Sequence, residues 1–373
     1  MQYSQRHIEL NSQFKLGSNT RMDDSGIEIR FFSFKSLSLS VKDNIAPVDS
    51  KDEKINENLS FSYPVFIPAK MKKTDKAILL MHGLNERNWN KYLTWAEYLC
   101  KETGKAVILF PIAFHINRSP MAWSDPRSLQ SVLDLRRRRN GEDRSLSFAN
   151  VAFSERISEK PSRFYSSGRQ SYFDLSQLTM EIKQGKHPLF QKNTHIDIFA
   201  YSIGAFLSEI TMIANPNDLF SDSKLFLFCG GGIFSSMYGE SRSIMDKKAF
   251  ENLFQYYMSD FNTDIQFNSI RDNVYDSFNC MISPEREEKN RKQFFTNLGN
   301  KLKGISLLND KVMPFVGLNE AMGEECATSR VELLDFPFAY SHENPFPVGK
   351  NIDNLNVDCC FTKVFSEAAG FLA

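Results

Sequence analysis

Short, nearly continuous apolar runs alternate along this chain with segments whose apolar residues recur every three or four positions, a pattern of strands traded with helices. Residues 27–34 alternate with a period near two and predict an early edge strand or hairpin. The polar stretch 42–60 reads as a surface loop, and 63–68 as a strand whose prolines favour a sheet edge. Residues 76–81 are almost wholly apolar, as a strand covered on both faces must be, and they run into His82-Gly83-Leu84-Asn85. Tyr92, Trp95, Ala96 and Leu99 then fall at helical spacing, and Gly104 is placed to stop that helix. Runs at 106–111 and 195–200 predict two more buried strands, and 224–229, 304–308 and 330–334 three further short ones. Behind 195–200, Ile203, Phe206, Leu207, Ile210 and Ile213 form one helical face, ended by Asn215-Pro216. Phe361, Val364, Phe365, Ala368 and Leu372 predict an amphipathic C-terminal helix.

This alternation predicts an α/β fold with a mostly parallel central sheet and helices on both faces. Two connections exceed a simple crossover, which needs only about a dozen residues. About 80 residues separate the strand at 106–111 from the one at 195–200, and about 70 separate 224–229 from 304–308. The expected organisation is an N-terminal extension over 1–60 and a core over 61–373, with helical cap insertions at about 115–190 and 235–300. Phe250, Leu253, Phe254, Tyr257, Met258 and Phe261 place at least one helix in the second insertion.

Composition narrows the function classes. Lys+Arg and Asp+Glu each total 45, so the formal net charge is zero and no long-range field favours nucleic acid or an anionic membrane surface. The first residues lack the charged-then-apolar pattern of a secretory signal, and no run reaches the roughly 20 apolar residues of a membrane span, so a soluble, cytoplasmic protein is expected. Six cysteines without C-x-x-C spacing read as buried free thiols rather than metal ligands. The 33 phenylalanines exceed ordinary usage, and some are expected to line a pocket.

The chemistry centres on Ala200-Tyr201-Ser202-Ile203-Gly204, where an apolar strand turns directly into a helix. A serine hydroxyl is a weak nucleophile and must stand clear of the backbone, within reach of a base and a carbonyl. Small residues on both sides of Ser202 let strand and helix pass closely, although Ala200 stands where the commonest motif has glycine. The competing reading makes Ser202 a helix N-cap. His342 is the sole histidine after Ser202 and lies on a turn-prone loop behind the strand at 330–334, where a base is expected. Asp310, at the end of the strand at 304–308, is the preferred carboxylate to orient it, with Asp335 as rival. The backbone amides of Leu84 and Ile203 are the expected oxyanion hole, Gly83 allows close approach, and His82 reads as structural.

Leu80-Met81-His82-Gly83-Leu84, the serine elbow, Asn309-Asp310-Lys311-Val312-Met313-Pro314 and His342 together resemble the α/β-hydrolase superfamily over residues 60–373. The resemblance implies a covalent acyl-enzyme route without cofactor or metal. The reading is a serine hydrolase acting on a small-molecule carboxylic ester, thioester or amide. A non-catalytic ligand-binding protein on the same fold and an acyltransferase are the alternatives. Asn85 and His115 are further pocket candidates beside the sheet's C-terminal edge, as are Phe254 and Tyr257 in the second insertion. The run Arg136 to Arg139 reads as a solvated helix face.

Overall fold

The computed structural model describes residues 2–22, 24–37, 51–264 and 271–373, so 42–50 of the expected polar loop lie outside the described residues. Among those residues one sheet runs through the molecule. Its strands are β1 (Thr20–Met22), β2 (Ile27–Lys35), β3 (Ser60–Pro68), β4 (Thr74–Met81), β5 (Ala106–Leu109), β6 (Phe190–Tyr201), β7 (Leu225–Phe228), β8 (Leu302–Leu307) and β9 (Val331–Leu334). Their spatial order is β1-β2-β3-β5-β4-β6-β7-β8-β9. β1, β2, β3 and β5 pair antiparallel, whereas β5, β4 and β6 to β9 pair in parallel.

The inner parallel strands are buried where both faces are covered, over all of β5 and β7, residues 77–81 of β4 and residues 196–201 of β6, whereas Glu332 and Leu333 of the edge strand β9 are exposed. In β6, Ile196, Ile198 and Ala200 enter one hydrophobic cluster while Phe199 and Tyr201 enter another on the opposite face. The chain order of helices is α1 (Tyr3–Gln13), α2 (Asn56–Leu59), α3 (Asn90–Thr103), α4 (Pro126–Asn140), α5 (Val151–Glu159), α6 (Arg163–Lys183) and α7 (Ile203–Ala214). There follow α8 (Lys247–Gln255), α9 (Asn273–Cys280), α10 (Glu288–Leu298), α11 (Phe315–Met322), α12 (Glu324–Arg330) and α13 (Asn354–Leu372). α1, α3 and α13 share one face of the sheet through Tyr3, Trp95 and Phe365, while α6, α7 and α9 cover the other through Leu178, Phe206 and Phe278. Helices α4 to α6 lie between β5 and β6, and α8 to α10 between β7 and β8.

Several sequence expectations need correction. β3 is an interior strand despite Pro64 and Pro68: its ladder with β5 involves only Val65 and Phe66, so both prolines lie where one side has no pairing to interrupt. Residues 27–34 form the hairpin arm expected of them, but β1 rather than this strand is the sheet edge, and the polar helix α1 precedes the pair. Residues 51–59 are not a plain loop, since Asp52–Lys54 forms a 3₁₀ turn and α2 follows. Arg136 is not solvated. Leu129, Leu133 and Arg136 share the inner face of α4, and the guanidinium pairs with Asp246, the N-cap of α8, and with Glu155 of α5 at 2.8 Å. Of the six free cysteines, Cys100, Cys229 and Cys280 are buried, but Cys359 is exposed.

Candidate active site

β6 ends at Tyr201 and α7 begins at Ile203, leaving Ser202 alone on the turn with φ 57° and ψ −127°. A side chain in that region stores on the order of 1–3 kcal/mol of strain and persists only where its surroundings enforce it. The enforcement is close packing. A Cβ on Gly204 would lie 2.7 Å from the His82 carbonyl oxygen, and one on Gly230 would lie 2.8 Å from the carbonyl oxygen of Ser202. Ala200, by contrast, is a buried residue in register with Met81 and Leu227, and its methyl packs beside their side chains on one face of the sheet. The Ser202 hydroxyl caps no helix N–H, which removes the N-cap reading.

Its partner is His342. Ser202 Oγ lies 2.7 Å from His342 Nε2, and His342 Nδ1 lies 2.7 Å from Asp310 Oδ2. All three are buried. A proton on Nδ1 donates to the carboxylate and leaves the Nε2 lone pair facing the serine. Asp310 is itself fixed, because its Oδ1 accepts the N–H groups of Val312 and Met313, each at 2.9 Å. Asp335 stands apart from these three residues. Its Oδ1 accepts from Asn309 at 2.9 Å and from Tyr340 at 3.0 Å, bracing the loop that carries His342. The Tyr201 hydroxyl donates to the His342 carbonyl, and the two rings stack at 5.5 Å. Burial and nearby Asp310 push the Cys229 thiol well above its ordinary value, so it stays protonated beside the serine elbow.

The loop after β4 is organised by a relay. The Gly83 N–H donates to Tyr92 Oη at 2.9 Å, and that hydroxyl donates to Glu86 Oε1 at 2.7 Å, which also pairs with Lys91 at 2.5 Å. Gly83 is thereby occupied, whereas no hydrogen bond among the described residues takes the N–H of Leu84 or Ile203. His82 sits beneath: its Nδ1 donates to the Gly83 carbonyl at 2.8 Å and its Nε2 accepts the Ile112 N–H at 2.9 Å. Burial lowers its pKa to about 3, so the ring is neutral and structural.

Three spaces meet at Leu84. A polar mouth of about 490 Å³ exposes Ser202 and His342 between Asn85, Glu86, Lys91 and Glu343. An apolar cavity of about 390 Å³ also reaches Ser202, walled by Met237, Met245, Phe250, Leu253 and Met313. A third space of about 490 Å³ touches Leu84 and Ile203 and extends past His115, Ile210, Val274 and Phe278. Asn85 therefore stands at the mouth, where its amide ties the loop to the carbonyls of Ala149 at 2.8 Å and Ser243 at 2.7 Å. His115 lines the third space, donating Nδ1–H to the Ala113 carbonyl at 2.8 Å, and burial lowers its pKa to about 3. Phe254 and Tyr257 line none of the three spaces. The face of α8 that meets the cavity is that of Phe250 and Leu253; Phe254 stacks on Phe234, and Tyr257 is buried behind, donating to the Pro161 carbonyl at 3.3 Å.

Sequence reasoning does not reach Lys91, Tyr92, Tyr201 or Glu343 as site residues. Only Tyr201 and Glu343 carry a sequence signal, as direct neighbours of Ser202 and His342. Among the described residues no group of three His, Cys, Asp or Glu could hold a metal ion, and no helix is long and apolar enough to cross a membrane.

A family of unknown function, DUF6051, matches residues 1–373. The chain belongs to that family. A search of curated protein sequences finds no match. Among solved structures, this DUF6051 chain is similar to a mutant of the esterase rPPE, with TM-score 0.50 and 11% identity over 99% of this chain and 89% of that one. It is also similar to an S-formylglutathione hydrolase from Agrobacterium tumefaciens, with TM-score 0.49 and 13% identity over 96% and 100% of the two chains. Carboxyl esterase 2 from the mycorrhizal fungus Tuber melanosporum gives TM-score 0.48 and 9% identity over 100% and 99%. Identities this low speak for the fold alone. That fold is the α/β-hydrolase fold, with its mostly parallel sheet and helices on both faces.

Proposed function

We propose that the protein is a serine hydrolase that cleaves a small carboxylic ester, with thioesters as related substrates. The observation that carries this reading is the continuous chain from Ser202 Oγ to His342 Nε2 and from His342 Nδ1 to Asp310 Oδ2, each 2.7 Å, on a strained strand-to-helix turn.

In this reading His342 Nε2 takes the hydroxyl proton as Ser202 Oγ bonds to the substrate carbonyl carbon. The N–H groups of Leu84 and Ile203 receive the negative charge that gathers on the carbonyl oxygen. The carbon–oxygen bond to the leaving alcohol then breaks, and His342 returns the proton to that oxygen. Water enters, His342 removes its proton as the water oxygen bonds to the acyl carbon, the bond to Ser202 Oγ breaks, and His342 returns the proton to Ser202 as the acyl group leaves as a carboxylic acid. Asp310 holds the ring in the required tautomer and stabilises its charged form throughout.

A fluorophosphonate probe and a set of p-nitrophenyl esters test the proposal together. Covalent labelling of Ser202 and ester turnover are expected, and both should disappear in Ser202→Ala and His342→Ala. A folded protein that neither labels nor hydrolyses any ester overturns the hydrolase reading and leaves a ligand-binding role.

A further inference from the structure

We infer that Phe164 sets the length of acyl group this site accepts, an assignment that rests on the reading of Ser202 as an acyl-transfer nucleophile. His342 faces the polar mouth and neither apolar space. An acid that protonates the leaving oxygen must reach it, so the leaving group departs through the mouth. The acyl group then lies in the other space that touches Ser202, the apolar cavity of Met237, Met245, Phe250, Leu253 and Met313.

The third space begins where this cavity ends. Leu84, Phe164 and Ile203 wall both, but Leu84 and Ile203 belong to the loop and elbow that hold the reaction centre. Phe164 is the part of the partition that stands outside that centre. Its ring is buried and braced by Phe234 at 5.8 Å, Tyr257 at 5.7 Å and Phe278 at 6.2 Å. One turn further along α6, on the same face, stands Gly168, which lines the third space. A Cβ built there meets nothing within 4 Å. Glycine weakens a helix interior, and here its missing side chain leaves open cavity. The acyl chain accordingly runs from Ser202 to Phe164 and stops, with an empty apolar extension beyond the ring.

The test is kcat/KM over p-nitrophenyl esters from acetate to palmitate, with fluorophosphonate labelling of Ser202 read on every variant. Wild type should favour short chains. Phe164→Ala should join the two spaces and raise the decanoate-to-butyrate ratio of kcat/KM at least tenfold. Phe164→Leu should move it in the same direction by less and retains more of the packing, so it serves if the alanine variant folds poorly. Phe164→Ala combined with Gly168→Leu should return the preference toward short chains, because the new side chain fills the extension. Variants that fold, label and keep the wild-type profile overturn the length assignment while sparing the hydrolase reading. Absence of labelling and turnover in wild type overturns both.

Discussion

Ser202 holds a backbone conformation that serine adopts only when its neighbours impose it, and two of those neighbours are glycines for steric reasons that can be tested. A Cβ on Gly230 would lie 2.7 Å from Ala205 Cβ and 2.9 Å from the Ser202 nitrogen, and backbone cannot swing aside as a flexible side chain can. Gly230→Ala is therefore expected to cost about 1–3 kcal/mol in urea denaturation through overpacking, and to slow labelling of Ser202 by displacing the elbow. Asp310 invites the opposite kind of experiment. Its two backbone donors, Val312 and Met313, can bond an asparagine oxygen as readily as a carboxylate, so Asp310→Asn should fold. The amide nitrogen would then face His342 Nδ1, and the ring would turn its proton toward Ser202 and cease to be a base. An activity loss on the order of 10⁴ with near-wild-type stability is expected. A loss below tenfold would show that Asp310 does not orient the ring.

Helices α4, α5 and α8 come from two connections distant in sequence, and one buried guanidinium joins them. Arg136 bonds Asp246, Glu155 and Ser158, and only 1% of its side chain is exposed. Arg136→Met leaves Asp246 buried without a counter-charge, which should destabilise the protein by about 3–5 kcal/mol in chemical denaturation. The double variant Arg136→Met with Asp246→Asn should recover part of that loss. A destabilisation under 1 kcal/mol would mean that the pair is not sensed. Such pairs also mark where sequence reading stops. β4 to β8 are legible because the stretches covered on both faces are apolar runs, the edge strand β9 only as a short run with Glu332 exposed, and α7 and α13 because a long apolar stripe at helical spacing has few other uses. α1 is not legible: it buries Tyr3, Arg6 and Leu10 amid polar positions, and its hold on Glu97 of α3 lies 91 residues away. Ser202, Asp310 and His342 are legible as a group because each follows on a readable strand. Lys91 and Ser243 join the mouth only through folding, and nothing in their local sequence distinguishes them from ordinary surface residues.

Across the whole molecule the formal charge is zero, so acid sensitivity near neutral pH rests on individual buried groups rather than on net repulsion. Burial lowers His82 and His115 to about 3 and His187 to about 4. Each is neutral when folded and binds a proton near pH 6.5 when unfolded. Their contribution to stability is therefore complete above about 6.5 and declines as the pH falls toward those lower values, by at most about 1.4 kcal/mol per pH unit each. Glu209 acts against them. Burial raises its carboxyl well above the ordinary value, and neither oxygen has a hydrogen-bond partner among the described residues. It is protonated when folded, so its contribution is complete below about 4.5 and is lost as the pH rises above that. Between about pH 4.5 and 6.5 the two effects have opposite slopes, and single substitutions separate them. His187 accepts the Leu189 N–H at 3.1 Å and meets Tyr63 Oη at 2.9 Å, so glutamine can keep polar contacts there without titrating. His187→Gln should flatten the rise of stability with pH in this window. Glu209→Gln should steepen it, and should gain on wild type as the pH increases. Urea denaturation at half-unit steps from pH 4.5 to 7.5 measures both slopes. If neither substitution changes its slope, these groups are hydrated in the folded protein and their burial does not govern its acid stability.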